Sequence, residues 1–406
     1  MKKMGSSKII KTMKHAITQV KNDLIRFDSF ERSILIAIAG LFLPFQFAAA
    51  VLSAILLYAA IKGNLIRDIK NQKGAIWFYS FCVLELGVSL GHHNWVGLLN
   101  VGGFILIGFF VAFYRKHLTP KLFQYVISEL IFLSWFAGIY GLFEFQKVSV
   151  RKGYAFFDFV VQNSPKDRIN STFMNANFYA TIIEFEIVFC LYKFIRTKKM
   201  GFRLYYVITA FFNFFMMLLT GCRTALLPFL FIFPVFFWFD RKRNWFIVSM
   251  IAEMAVLVLV LMFPELIPRF DQLSTLNARF EIWYTALLAF TMHPWFGQGP
   301  QTYGFVYKML KGHKAPHAHN IVLDTFLSYG IFGTLLLIGY AFSLWKEIYR
   351  SYKKNKDPAI FAMILCFFVI FFIHGLLDVT MNFLATGCIF MLIINSSKAN
   401  EKSYVK

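Results

Sequence analysis

Three histidines fall within KGHKAPHAHN, as His313, His317 and His319, immediately ahead of a long apolar run that begins at Asn320. A neutral imidazole, with an unperturbed pKa of about 6.5, takes a proton at ambient pH. His319, at the mouth of a helix, is therefore a candidate general base. The same cluster can be read as a metal site, although no Asp, Glu or Cys lies nearby in sequence to complete it, or simply as interfacial polar residues. Three arginines also border apolar runs: Arg168 in DRINSTFMNANFYA, Arg223 in TGCRTALL and Arg279 in ARFEIW. Guanidinium groups offer planar paired donors to phosphate oxygens and keep their charge. Brought together, the three would make a diphosphate pocket; taken singly, each reads as a loop charge or a membrane-surface anchor. Ser171, Asn175 and Asn177 follow Arg168 either as neutral donors or as caps for the next helix.

The elements that must position these residues are membrane helices. Of the 406 residues, 58% are hydrophobic, 52 of them Phe, and the mean hydropathy is +0.59. Soluble domains hold roughly 45 to 50% apolar residues, and no stretch between apolar runs is long enough to bury a soluble core. The net charge of +21 is spread through connectors instead of gathered on one face, so topology explains it and nucleic acid is not the expected partner. Cys82, Cys190, Cys222, Cys366 and Cys388 lie singly in or beside apolar runs, without a CxxC pair, which argues against a disulfide framework or zinc ribbon. Residues 1–32 read as a basic cytoplasmic arm, attracted to an anionic leaflet, and residues 397–406 as a cytoplasmic tail.

Between them, residues 33–396 form one polytopic domain. A helix needs roughly 20 apolar residues to cross the hydrocarbon core, and twelve segments qualify as candidates: 33–46, 47–61, 75–91, 95–114, 122–142, 178–195, 204–221, 224–239, 245–263, 320–345, 358–377 and 379–396. With both termini in the cytoplasm, 31 of the 42 Lys and Arg fall inside and eleven outside, the asymmetry that the positive-inside rule requires. The outer basic residues concentrate in two long loops, 143–177 and 264–319, so chemistry is expected to face outward. Within the second loop, the apolar stretch after Arg279 is too short to span and reads as an interfacial or re-entrant helix.

The acids Glu85, Glu129, Glu184, Glu186, Glu253, Asp324 and Asp378 fall within predicted spans or, for Asp378, between the last two. Intramembrane carboxylates often mark ion paths, which supports a rival reading as a secondary transporter or flippase. Alternatively, they pair with the arginines and hold them in place. A carrier needs a midplane site reachable from both sides, whereas the distinctive residues here cluster on one side. An HExxH helix, which would indicate a zinc protease, is missing.

Taken together, these segments resemble the O-antigen ligase/polymerase family. His319 and Asn320, followed at a distance by Gly330, Gly333 and Thr334, look like its histidine signature; TGCRTALL resembles its arginine turn, with Cys222 where serine is common; ARFEIW with HPWFGQGPQTYG resembles its arginine helix and glycine turn; and RINSTFMNANFYA resembles the segment before the mid-chain span. The resemblance covers about residues 165–340, and the first 160 residues match only in hydropathy. It implies an all-helical, GT-C-like membrane glycosyltransferase of 10 to 12 spans in the bacterial cytoplasmic membrane. The donor would be a saccharide on a polyprenyl diphosphate and the acceptor a glycan, with no metal or other cofactor and a chain-length regulator as a partner. Arg223, Arg279 and His319 would be catalytic, with Arg168, Asn175, Asn177, His317 and Asn320 binding substrate. Polymerisation of repeat units is preferred over ligation of the finished chain to lipid A, wall polymer or protein.

Overall fold

The computed structural model describes residues 25–153, 167–264, 274–354 and 358–400. The remaining parts of the expected arm, tail and two long loops (1–24, 401–406, 154–166 and 265–273) lie outside the described residues. In chain order the α-helices are α1 (Ser29–Gly40), α2 (Phe45–Lys62), α3 (Leu65–Asn71), α4 (Ala75–Gly91), α5 (Trp95–His117), α6 (Pro120–Lys152), α7 (Ala176–Arg196), α8 (Met200–Thr220), α9 (Phe229–Phe239), α10 (Arg243–Met262), α11 (Ser274–Met292), α12 (Tyr303–Met309), α13 (Ile321–Lys354), α14 (Pro358–Gly375) and α15 (Leu384–Ile394). The described secondary structure is helical throughout, and the chain is a multi-pass membrane protein. Among the described residues, seven helices are long and apolar enough to cross a membrane: α2, α5, α6, α8, α10, α13 and α14. The pair α3 and α4, bent by 106°, passes the same test only when taken together, as one broken span or a re-entrant loop.

The other four predicted segments overlap helices with weaker credentials. α1 has 12 residues, α9 and α15 have 11 each, and α7, with 21, carries Glu184, Glu186, Lys193 and Arg196. Two boundaries differ from expectation in ways that matter for the site. α6 continues to Lys152, past the predicted end at 142, and stops only where Gly153 takes a left-handed conformation (φ 71°). Conversely, the segment expected to be helical from 379 stays irregular until Leu384, because Asp378 Oδ1 accepts the Val379 amide at 2.8 Å and Thr386 Oγ1 donates back to the Thr380 carbonyl at 2.5 Å.

Lipid is as apolar as a leucine side chain, so helices associate through close packing and interhelical hydrogen bonds. α7 lies along α8, α9 along α14, and α13 along α4. Buried rings fill the seams, as where Phe185 stacks on Phe367 at 4.4 Å. α6 and α8 are joined by Trp135 Nε1 to Thr209 Oγ1 at 3.0 Å and Asn213 Nδ2 to Ser134 Oγ at 2.9 Å, bonds worth about 0.6–2 kcal/mol each in a membrane. Polar clamps such as Arg115 with Glu347, at 2.8 Å, close one end of the bundle; the candidate site occupies the other.

α13 is broken at Gly330, where φ is 61° and ψ −167°, a conformation essentially confined to glycine. The turn at 294–299 fits into this break. Ile331 and Phe332 amides donate to the Pro294 and Trp295 carbonyls at 2.8 and 2.9 Å, and Gln298 and Gly299 amides donate to the Ser328 carbonyl at 3.1 and 2.9 Å. Asn94, which caps α5, also donates to the Gln298 and Pro300 carbonyls. A Cβ on residue 330 would lie 2.5 Å from the Gly297 nitrogen. Gly330→Ala should therefore lose at least the roughly 1–3 kcal/mol of backbone strain and show a lower unfolding midpoint in detergent. An unchanged midpoint would mean that the break is dispensable.

Candidate active site

Five stretches of chain meet at one end of the bundle: the loop before α7, the turn after α8, α11, the loop before α13 and the turn after α14. They meet because α6, α8 and α14 end there while α7 and α13 begin there. Helix caps fix the meeting point. Asn175 Oδ1 accepts the Asn177 amide at 2.7 Å to start α7, and Asn320 Oδ1 accepts the Val322 and Leu323 amides at 3.0 and 3.1 Å to start α13. Asn320 Nδ2 also donates to the Leu376 carbonyl at 3.1 Å. Asn175 and Asn320, expected to bind substrate, thus have architectural work in this structure. The prolonged α6 matters here as well: Glu144, which lies beyond its predicted end, accepts the Asn170 and Ser171 amides at 3.0 and 2.6 Å and holds the Arg168 loop.

At the centre stands Asp378, 2% exposed. Its Oδ1 receives His319 Nδ1 at 2.9 Å and His317 Nε2 at 3.4 Å. Its Oδ2 accepts Asn177 Nδ2, and Asn177 Oδ1 in turn accepts Arg168 Nη2. Arg168 Nε reaches the Thr220 carbonyl at 2.5 Å, so the guanidinium lies against the carbonyl end of α8, where a cation is favoured. A continuous polar chain therefore joins Arg168, Asn177, Asp378 and His319. His319 adopts φ 47°, a sparsely populated region for residues other than glycine, and such strain is characteristic of functional positions.

Protonation follows from these contacts. Burial would raise the Asp378 carboxyl, but the His319 hydrogen bond and the neighbouring imidazoles of His317, His319 and His374 hold it far below the usual carboxylate range. It is a carboxylate at any ordinary pH. Burial, reinforced by His319 and opposed by Asp378, lowers His317 to about 4. His317 is thus neutral near pH 7, with Nδ1 accepting the His319 amide at 3.3 Å and Nε2 carrying the proton toward Asp378. The two rings and the carboxylate place their ligand atoms within 4.8 Å of one another, a donor set that also suits a divalent ion. The reason given from sequence for setting a metal aside, that no acid lies near the histidines, is therefore corrected: Asp378, remote in sequence, completes the set in space. Hydrogen bonding alone accounts for the same geometry.

Arg223 opens the 3₁₀ turn Arg223–Leu226 after the left-handed Gly221 (φ 57°), and lines a recess with Met217, Leu218, Gly221, Cys222 and Leu226. Arg279, on α11, is lowered by burial, with the Asp378 carboxylate and the Cys222 thiol pulling it back. The guanidinium keeps its charge, which its coupling to Asp378 brings to bear on the same centre. Cys222 would be raised by burial, yet His374, Arg168 and Thr224 bring it below the usual thiol value, a sign of positive potential at this turn. His313 stands apart, 3.7 Å from Glu281 on α11. The expectation that the acids clamp the arginines is redirected: Asp378 holds the two histidines and reaches Arg168 through Asn177, while Asp324 accepts the Ala318 amide at 2.9 Å and steadies the histidine loop.

No curated protein matches the chain. Residues 208–338, from α8 into α13, match the O-antigen ligase family model; they include Arg223, Arg279, His317 and His319, whereas Arg168, Asn177 and Asp378 come from outside the matched stretch. Residues 208–338 are thus similar to an O-antigen ligase domain.

Proposed function

We propose that the protein transfers a glycan from a polyprenyl diphosphate to a sugar hydroxyl at the outer face of the bacterial cytoplasmic membrane, polymerising repeat units of a surface polysaccharide. The observation that carries this reading is the His319–Asp378 pair set among arginines. Asp378 accepts the Nδ1 proton of His319, which leaves Nε2 with a free lone pair and the ring correctly turned. The acceptor hydroxyl gives its proton to Nε2 as its oxygen forms a bond to the anomeric carbon. The bond from that carbon to the diphosphate breaks on the opposite side, inverting the centre, and the electron pair leaves with the diphosphate. Arg223 and Arg279 stabilise the charge that develops there.

α11 supports a lipid-borne donor. Ile282, Ala286 and Ala289 face the protein, while Phe280, Tyr284, Leu287 and Leu288 are exposed, as suits a helix lying in the membrane interface. The family description itself, O-antigen ligase, favours the second reading, in which a finished chain is moved to lipid A, wall polymer or protein. Both readings use the same displacement and differ in acceptor.

Asp378→Asn should lower turnover about a hundredfold, because an amide no longer fixes the tautomer or steadies the imidazolium. Purified protein assayed with a lipid-linked donor would show this; turnover within a fewfold of wild type would remove Asp378 from the mechanism. Activity in the same assay should survive a chelator. Loss on chelation, restored by a divalent ion, would instead assign His317, His319 and Asp378 to a metal.

A further inference from the structure

His374 lies in the last turn of α14 and is fully buried. Its Nδ1 is 3.0 Å from Glu184 Oε2 and 3.3 Å from Thr181 Oγ1, both on α7. Its Nε2 faces the arginine turn, 3.3 Å from Thr224 Oγ1 and 4.0 Å from Cys222 Sγ. Its backbone carbonyl accepts the Asp378 amide at 2.9 Å. Thr181 in turn donates to the Asn177 carbonyl at 3.0 Å. One residue thus touches the elements that carry Arg223, Asp378 and Asn177, while itself standing behind the site.

We propose that His374, anchored by Glu184, is a positioning residue that keeps the arginine turn in register with the His319–Asp378 pair. A buried histidine–carboxylate pair is a weak source of stability, since well-packed apolar replacements of both partners are often neutral or stabilising. Stability therefore does not account for it, whereas geometry does: Glu184 needs only one ring nitrogen, and the other is directed to the turn that opens with Arg223. In transition-state stabilisation a displacement of about 1 Å costs on the order of a hundredfold, so a loosened turn is felt in turnover before it is felt in substrate binding.

His374→Phe alone leaves Glu184 buried without its partner and threatens folding; the test therefore uses the double variant His374→Phe/Glu184→Leu beside wild type, Thr224→Val and Glu184→Gln. The double variant should keep the unfolding midpoint of wild type in detergent. Hydrogen exchange, followed by mass spectrometry, should quicken in the segments around 218–228 and 375–383 and stay unchanged in the far half of α13. In a transfer assay its kcat should fall at least tenfold with KM within threefold. Thr224→Val should cause part of that loss and add nothing on top of the double variant, and Glu184→Gln, which keeps an acceptor for Nδ1, should retain most activity. Wild-type exchange in either segment, or wild-type kcat in the double variant, would overturn the proposal. The kinetic arm rests on the glycosyl-transfer reading, but the exchange arm does not: a wild-type protein without transferase activity would defeat that reading alone.

Discussion

His319→Ala is expected to abolish all but about one thousandth of turnover, with the protein still folded. Positioned general bases contribute roughly 10²–10⁴-fold, and among the described residues His317 is no ready substitute: it is neutral but commits Nδ1 to a backbone amide and Nε2 to Asp378. Alanine also has to accept φ 47°, so His319→Asn is the better-matched control, since asparagine tolerates left-handed backbone and supplies no base. Both variants should lose turnover alike while their unfolding midpoints stay near wild type. If His319→Asn turned over at more than a tenth of the wild-type rate, the proton would have to leave by another route.

Truncating the arginines should produce the second large effect. Arg223→Ala and Arg279→Ala are each expected to lower kcat by about 10²–10³, the scale for removing a preorganised donor from a developing anion. Lysine replacements should recover only part, since an ammonium acts as a point charge without the planar paired donors. Product inhibition by the free polyprenyl diphosphate should weaken in parallel, because the departing group and the inhibitor present the same anion. Normal turnover in either alanine variant would sink the diphosphate pocket.

Much of this was legible in sequence because it depends on local pattern. Apolar runs of membrane-spanning length announce α2, α5, α8, α10 and α14, and the apolar stretch after Arg279 announces a helix, although α11 begins earlier, at Ser274, and runs for 19 residues. His319, Arg223 and Arg279 were visible as costly polar groups at helix ends. What local pattern misses is partnership across the chain. Asp378 was counted among intramembrane acids, yet only folding brings it beside a histidine loop far upstream. The apolar run ends near 142, whereas α6 runs on through Glu144, Lys147 and Arg151 to Lys152, because hydropathy marks a span and not the end of its helix. Asn175 and Asn320, expected from sequence to meet substrate, also cap α7 and α13, a use that asparagine at a helix start commonly has. The acids that suggested a transporter are partly absorbed: Glu184 holds His374 and Asp324 holds the Ala318 amide, both structural uses at one end of the bundle.

The central claim, transfer of a lipid-linked glycan through His319, is tested most directly in a deletion strain of the native host carrying either wild type or His319→Ala. Lipid-linked saccharides are extracted, and both they and the surface glycan are sized. The account predicts that wild type restores long surface chains and His319→Ala does not, with single lipid-linked units accumulating for a polymerase and long unattached lipid-linked chains for a ligase. An identical glycan profile in the deletion strain, the mutant and wild type would contradict it.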